Sequence, residues 1–269
     1  MQSIQTVGII GAGTMGNGIA QACATCGIDV VMVDINQAAV DKGLATVSGS
    51  LDRLIKKEKL TADQKTAALA RIKTSTEMRA LVGSQLVIEA ATENETLKVQ
   101  ILQQLDQLLP ADTLIASNTS SISITKLAAA TSRPSQFIGM HFFNPVPMMA
   151  LVEIIRGLQT SDATHDAVHA LAVALGKTPI TVKNAPGFVV NRILVPMINE
   201  AFFVLSEGLA TPEAIDEGMK LGCNHPIGPL ALADMIGLDV CLAVMNVYVA
   251  ETNDSKYRPC PLLKEMVAA

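Results

Sequence analysis

Residues Thr6 to Gly16 read T-V-G-I-I-G-A-G-T-M-G. Thr6 to Ile10 is apolar and β-branched, as a buried parallel strand requires. Gly11, Ala12, Gly13, Thr14, Met15 and Gly16 follow directly with G-x-G-x-x-G spacing, and Gly18 to Cys26 then reads as an alanine-rich helix. The first glycine permits the tight turn, the second lets backbone approach a diphosphate, and the third lets helix pack on strand. A helix that opens there offers unpaired N–H groups and partial positive charge to phosphates. Ile28 to Val33 reads as a second strand ending at Asp34, 23 positions after Gly11. An acid near that spacing takes a ribose 2′-hydroxyl and repels a 2′-phosphate, so the motif predicts a cofactor site for NAD in preference to NADP.

Outward from this motif the chain alternates strands and helices. A helix is expected from Asn36 to about Lys57, and Thr61-Ala-Asp-Gln64 reads as a capping box opening another to about Lys73. Gln85–Glu89 is a buried strand, Ala90–Asn94 the loop at its end, and Glu95–Leu109 a helix stopped by Pro110. Short apolar strands are expected at Leu114–Ala116, Gln136–Met140 and Leu151–Ile155, with a short helix at Thr125–Ala130. A helix at Asp162–Gly176 and a last strand at Pro179–Lys183, with antiparallel pairing open to it, complete this part. Such alternation predicts a Rossmann-type, doubly wound α/β sheet over residues 1–184.

Asn184-Ala-Pro-Gly187 marks the boundary. Beyond it the pattern is helical, at Phe188–Glu207, Thr211–Leu221, Pro229–Met235, Leu238–Glu251 and Leu262–Val267, predicting an all-helical C-terminal domain over residues 185–269. Phe188–Glu207 and Leu238–Val249 lack a polar face. Helices of that kind in so short a domain predict burial against a partner subunit, that is, a homodimer.

The composition is 49% hydrophobic, 17% charged and 3% aromatic, with a formal net charge of −5, which argues against nucleic-acid or anionic-membrane binding. No apolar run reaches the ~18–20 residues of a membrane span, and Met1 leads almost directly into a strand, so a cytoplasmic protein is expected. Five cysteines in no regular framework fit free thiols, and Cys23-Ala-Thr-Cys26 lacks the second pair that zinc would need. His165 and His169 stand four apart on a helix with no accompanying carboxylate motif, and are expected to be surface residues rather than metal ligands.

The chemistry concentrates between Ser117 and Glu153. S-N-T-S-S at 117–121, G-M-H-F-F-N-P-V-P at 139–147 and L-V-E-I-I at 151–155 put hydroxyls, one histidine and one carboxylate near three strand ends. Ligands in open parallel sheets sit outside the carboxyl ends of the strands. His141 and Ser120 are each expected to follow such an end. The prolines of Asn144-Pro-Val-Pro147 force a turn, which can carry Glu153 back beside His141. A carboxylate there fixes the imidazole's tautomer and stabilises its charged form.

With these strings in view, the chain resembles the 3-hydroxyacyl-CoA dehydrogenase family almost end to end, close to its bacterial short-chain 3-hydroxybutyryl-CoA branch. The resemblance rests on GAGTMG, AATEN, ASNTSS, GMHFFNPVP, LVE, PGFVVNR and HPIGPLALADMIGLD. It implies that His141 is the general base, that Glu153 orients it, and that Ser120 and Asn191 hydrogen-bond the substrate. It places Glu93 and Lys98 near the nicotinamide and its ribose, with Ser120 and Asn144 also among the residues that bind NAD. It matches Ser50 and Lys57 to coenzyme A contacts, with Arg53 in the same basic cluster. The expected reaction interconverts an (S)-3-hydroxyacyl-CoA, 3-hydroxybutyryl-CoA above all, with the 3-ketoacyl-CoA in fatty-acid or butanoate metabolism, with no metal. The family's chains continue into a tail resembling G-R-K-T-G-x-G-x-Y that approaches the cofactor, whereas this sequence ends at Ala269. Two other readings keep the fold: a lambda-crystallin-like dehydrogenase of a free 3-hydroxy sugar acid, and an inactive NAD-binding protein.

Overall fold

The computed structural model describes residues 3–269; Met1, used above as the start that leads into the first strand, lies outside them. The chain runs β1 (Thr6–Ile10), α1 (Thr14–Thr25), β2 (Asp29–Val33), α2 (Gln37–Lys56), α3 (Ala62–Ala70), β3 (Ile72–Ser75) and β4 (Leu86–Glu89). It continues through α4 (Glu95–Leu108), β5 (Leu114–Ser117), α5 (Ile124–Ala128), β6 (Phe137–Phe142), β7 (Leu151–Arg156), α6 (Asp162–Ala174) and β8 (Thr178–Lys183). Asn36 and Thr61 cap α2 and α3 through their side chains, and Thr61 with Gln64 closes a capping box.

The strands form one sheet in the order β3-β2-β1-β4-β5-β6-β7-β8. From β3 to β6 all neighbours are parallel. β7 pairs antiparallel with β6, and β8 pairs parallel with β7, so the last two strands both run against the first six. The strand order reverses between β1 and β4, the point at which α/β sheets open a crevice. Val7, Ile9, Met32, Leu86, Ile88 and Ala116 are fully buried in the core beneath that crevice. Burying such side chains contributes ~1.5–3 kcal/mol each for the larger ones.

The glycine-rich turn is built as its spacing demands. Gly11 has φ +96°, and a Cβ there would lie 2.6 Å from the Ala90 carbonyl oxygen. A Cβ on Gly16 would stand 1.7 Å from the Gly11 carbonyl oxygen, so only glycine lets α1 pack this closely. Two local expectations are corrected. The helix expected to reach Lys73 stops at Ala70, and Ile72–Ser75 pairs with β2 as an edge strand. His141 does not follow its strand but lies within it, since β6 extends to Phe142.

The chain divides into two compact units between Asn184 and Ala185. The second contains α7 (Val190–Ser206), α8 (Pro212–Cys223), α9 (Pro229–Ile236), α10 (Leu238–Thr252) and α11 (Pro261–Ala268). Ile198, Phe202, Ala233, Cys241 and Leu263 form its main core. Buried Asn199 on α7 accepts from the Cys260 N–H at 2.8 Å and donates to the Arg258 carbonyl at 3.1 Å, fixing the segment ahead of α11. Among the described residues no single helix is long and apolar enough to cross a membrane; α9 and α10 reach that composition only as a pair bent by 96°.

Candidate active site

Antiparallel pairing of β6 with β7 sets His141 directly opposite Glu153. Cross-strand neighbours in such a pair share a face, ~4.5–5.5 Å apart at Cβ. Here the two side chains close a 2.7 Å hydrogen bond between His141 Nδ1 and a Glu153 carboxylate oxygen. Glu153 is fully buried and His141 is 6% exposed. The loop joining the two strands is held from outside: Lys177 Nζ donates to the carbonyls of Val146 at 2.6 Å and Met149 at 2.8 Å. Burial holds the Lys177 ammonium below its ordinary pKa, against the opposing pull of Cys26.

Ser120 stands in the loop after β5, between the ends of β4 and β6. Asn118 joins the three strand ends: its N–H donates to the Glu89 carbonyl at 2.8 Å and its side-chain oxygen accepts from the Phe142 N–H at 2.9 Å. Glu93 gathers the loop with a single carboxylate oxygen, which accepts from Thr119 Oγ1 at 2.5 Å, the Ser120 N–H at 2.9 Å and the Ser121 N–H at 3.2 Å. Burial pushes the Glu93 carboxyl up, but Lys98 and the donors from Thr119, Ser120 and Ser121 outweigh it and hold it below the ordinary carboxylate value.

Two cavities lie side by side along the strand ends. One is lined by Gly11, Gly13, Asp34, Ile35 and Ile101, the other by Met15, Glu93, Ser120, His141 and Asn144, and both touch Ala90 and Ala91. In the first, Asp34 accepts from the Ala12 N–H at 2.6 Å with one oxygen and from the Ile35 N–H at 2.7 Å with the other, which aims the carboxylate across the glycine turn. Nothing lies within 4 Å of a Cβ built on Gly13, so that glycine faces open space where a diphosphate would approach. An apolar pocket, a carboxylate at the end of β2 and an open glycine turn fit a dinucleotide such as NAD. Gly11, Ala12, Gly13, Thr14, Met15, Gly16 and Asp34 would hold its adenosine and diphosphate.

The remaining residues singled out above distribute as follows. Lys98 is 1% exposed, with its Nζ 2.7 Å from Glu89 Oε1 and 3.5 Å from Glu93 Oε2. Ser50 is half-buried and Arg53 and Lys57 are exposed at the C-terminal end of α2, none in an ion pair among the described residues. Asn191 lies in the first turn of α7, in the second unit. Its neighbour Arg192 stacks over the Tyr257 ring at 4.3 Å. His165 and His169 are half-buried rather than on the open surface; His165 hydrogen-bonds Thr181 of β8 at 2.8 Å and Asp166 at 2.9 Å. No group of three or more His, Cys, Asp or Glu gathers at metal-binding distance among the described residues. Cys23 is buried, which pushes its thiol up to about 12, while Cys26 is exposed. The sequence reading missed Glu89, Asn118 and Lys177. The available signal for Glu89 was a charged residue ending an otherwise apolar strand, since a buried charge must find a partner.

The family model for the NAD binding domain of 3-hydroxyacyl-CoA dehydrogenase matches residues 6–185, and that for the 3-hydroxyacyl-CoA dehydrogenase C-terminal domain matches residues 187–269. A 3-hydroxybutyryl-CoA dehydrogenase of Bradyrhizobium diazoefficiens is 52% identical over 266 residues, covering 99% of this chain and 91% of that one. One of Clostridioides difficile is 50% identical over 261 residues, covering 97% and 93%. A crystal structure of (S)-3-hydroxybutyryl-CoA dehydrogenase from Ralstonia eutropha superposes with a TM-score of 0.97 at 73% identity, covering 99% of this chain and 94% of the other.

Proposed function

Because the chain belongs to the 3-hydroxyacyl-CoA dehydrogenase family, we propose that it interconverts (S)-3-hydroxybutyryl-CoA and acetoacetyl-CoA with NAD(H). The observation that carries this is the 2.7 Å His141–Glu153 pair on the cavity shared with Ser120, beside the dinucleotide crevice. Bound NAD supplies the hydride acceptor for the oxidation. With Nδ1 engaged by Glu153, proton transfer falls to Nε2 of His141. In oxidation His141 takes the proton of the 3-hydroxyl, and Glu153 stabilises the imidazolium; in reduction the imidazolium returns the proton to the 3-keto oxygen. Ser120 donates a hydrogen bond to that oxygen and holds the reacting carbon toward the cofactor. Asn191 is assigned to substrate binding on its motif. Glu93 and Asn144 are assigned to the nicotinamide side, and Lys98, buried with its ammonium on Glu89, Ala91 and Glu93, acts there through Glu93.

Coenzyme A carries its phosphates far from the reacting carbon, and binding them contributes to positioning the acyl group. Ser50 and Arg53 fall at i and i+3 on α2, on one helix face, and Lys57 caps the same end of the helix. That helix end receives the handle. The protein acts as a homodimer through its helical domain. Its five free thiols fit the reducing cytoplasm.

The test is reduction by NADH of acetoacetyl-CoA against free acetoacetate. The thioester turns over well and the free acid very poorly. Lys57→Ala raises KM for acetoacetyl-CoA ~2–5-fold, as loss of an exposed charge contact of ~0.5–1 kcal/mol implies, and leaves KM for NADH unchanged. The effect shrinks as salt rises. Efficient reduction of the free acid with an indifferent Lys57→Ala variant favours a sugar-acid dehydrogenase instead.

A further inference from the structure

We infer that Glu89 is a positioning residue: from inside the sheet it fixes the loop that carries Ser120, acting through two separate arms. Glu89 ends β4 fully buried, flanked in register by Ile10 of β1 and Ser117 of β5. Both carboxylate oxygens are engaged. Oε1 accepts from Lys98 Nζ at 2.7 Å and from the Ala91 N–H at 2.7 Å, and Oε2 accepts from Ser117 Oγ at 2.6 Å.

The first arm runs through Lys98. Its ammonium has three protons and three acceptors around it: Glu89 Oε1 at 2.7 Å, the Ala91 carbonyl at 3.1 Å and Glu93 Oε2 at 3.5 Å. Glu93 is 38% exposed and sits in a loop, so alone it would be a mobile carboxylate. Lys98 holds one of its oxygens, which leaves the other aimed at Thr119, Ser120 and Ser121. The second arm runs through Ser117, whose Oγ donates to Glu89 and accepts from the Thr119 N–H at 3.3 Å. The arms meet at Thr119, whose hydroxyl donates to Glu93 and accepts from the Ile122 N–H at 2.9 Å.

The charge arrangement predicts what removing Glu89 does. A buried ammonium must be neutralised. Without Glu89, Lys98 has only Glu93, among the described residues, to serve that need, 3.5 Å away. Glu93 is then drawn inward, off the amides of Ser120 and Ser121. Ser120 loses its position while remaining chemically intact.

This inference rests on the proposed reaction for its kinetic readout but not for its structural one. In Glu89→Gln, amide exchange at Ser120 and Ser121 accelerates at least ~10-fold while β1 keeps its protection. Unchanged protection of those amides overturns the inference whether or not acetoacetyl-CoA is the substrate. In wild type with NADH, turnover of acetoacetyl-CoA separately checks the reaction. Given that turnover, Glu89→Gln lowers kcat ~10–100-fold, the scale of a misplaced catalytic group, and changes KM for acetoacetyl-CoA less than ~3-fold. In a Ser120→Ala background the same substitution costs less than ~3-fold, because its target is gone. Equal losses in both backgrounds make Glu89 merely structural. If Glu89→Gln does not fold, Ser117→Ala cuts the second arm with the Glu89–Lys98 pair intact: the Thr119 amide, which that arm holds, must exchange faster, and the kcat loss must again be non-additive with Ser120→Ala.

Discussion

At the scale of single residues, His141 and Glu153 owe their contact to strand register, so the pair is as rigid as the sheet. Replacing His141 by Gln leaves that register intact and removes only the proton transfer. It lowers kcat ~10²–10⁴-fold with NADH affinity unchanged by fluorescence titration. Glu153→Gln also acts mainly on kcat. Near-wild-type turnover in either variant would remove the dyad from the mechanism. Elsewhere, Asp106 on α4 carries a purely structural charge. Its carboxylate accepts from the Ser132 N–H at 2.7 Å and from Arg133 Nε at 2.8 Å. Burial pushes Asp106 up, but Ser132 and Arg133 outweigh it and hold the group below its ordinary value. A depressed carboxylate contributes stability that is fully present above the unfolded value of ~3.9 and is lost as pH falls through the folded one. Asp106→Asn therefore costs ~1–3 kcal/mol at pH 7, measured by urea unfolding, and the gap to wild type narrows below about pH 4.

At the scale of elements, the glycine turn separates binding from folding. Gly16→Ala drives a Cβ to 1.7 Å from the Gly11 carbonyl and must push α1 off β1. It lowers stability by ~3 kcal/mol or more. Gly13→Ala adds a methyl to open space from a backbone with φ −65° that alanine accepts. It keeps the melting temperature and weakens NADH binding at least ~10-fold, the effect of one unfavourable contact of ~1.4 kcal/mol. Equal melting losses in the two variants would contradict this division. The turn was legible in the sequence because Gly11 and Gly16 meet steric demands that no other residue satisfies, and Gly13 leaves open the space a diphosphate needs. Asp34 was legible by its spacing, as the acid directly after the next strand. The edge strand Ile72–Ser75 was not, because I-K-T-S has one apolar side chain and no period to read. Reversal at Asn144–Pro147 was legible from its prolines. That β8 follows β7 in the reversed direction depends on the crossover through α6, which local sequence does not encode. Glu89 escaped because its Lys98 and Ser117 partners stand on a different helix and strand, and Asn118 and Lys177 because their partners lie far away in sequence. For Lys177 these are backbone carbonyls 28 and 31 positions away.

At the scale of the whole molecule, the second unit poses a solvation problem. Its core is closed by Phe202, Ile198 and Leu263, yet Ile193 is 66%, Leu209 68%, Leu221 77% and Met235 70% exposed in a single chain. Four large apolar side chains stand out from one unit of about 85 residues, and where such side chains are contiguous they mark an interface. In the first unit, Ile35 lines the dinucleotide cavity, which gives its 89% exposure a use, while Leu158 at 86% and Met148 at 60% also stand out. A stable homodimer buries ~1,200–2,000 Å² or more in total, and exposed Ile, Leu and Met side chains of this unit of five helices would supply apolar contacts in such an interface. The expected mass by light scattering at micromolar concentration is twice the 28.3 kDa of the chain. Ile193→Asp with Met235→Glu places two charges on that surface, where each must lose its hydration if the interface forms. The double variant elutes as a monomer while its helical circular dichroism stays native. A wild type that remains monomeric, or a variant that stays dimeric, excludes the helical unit as the dimer interface.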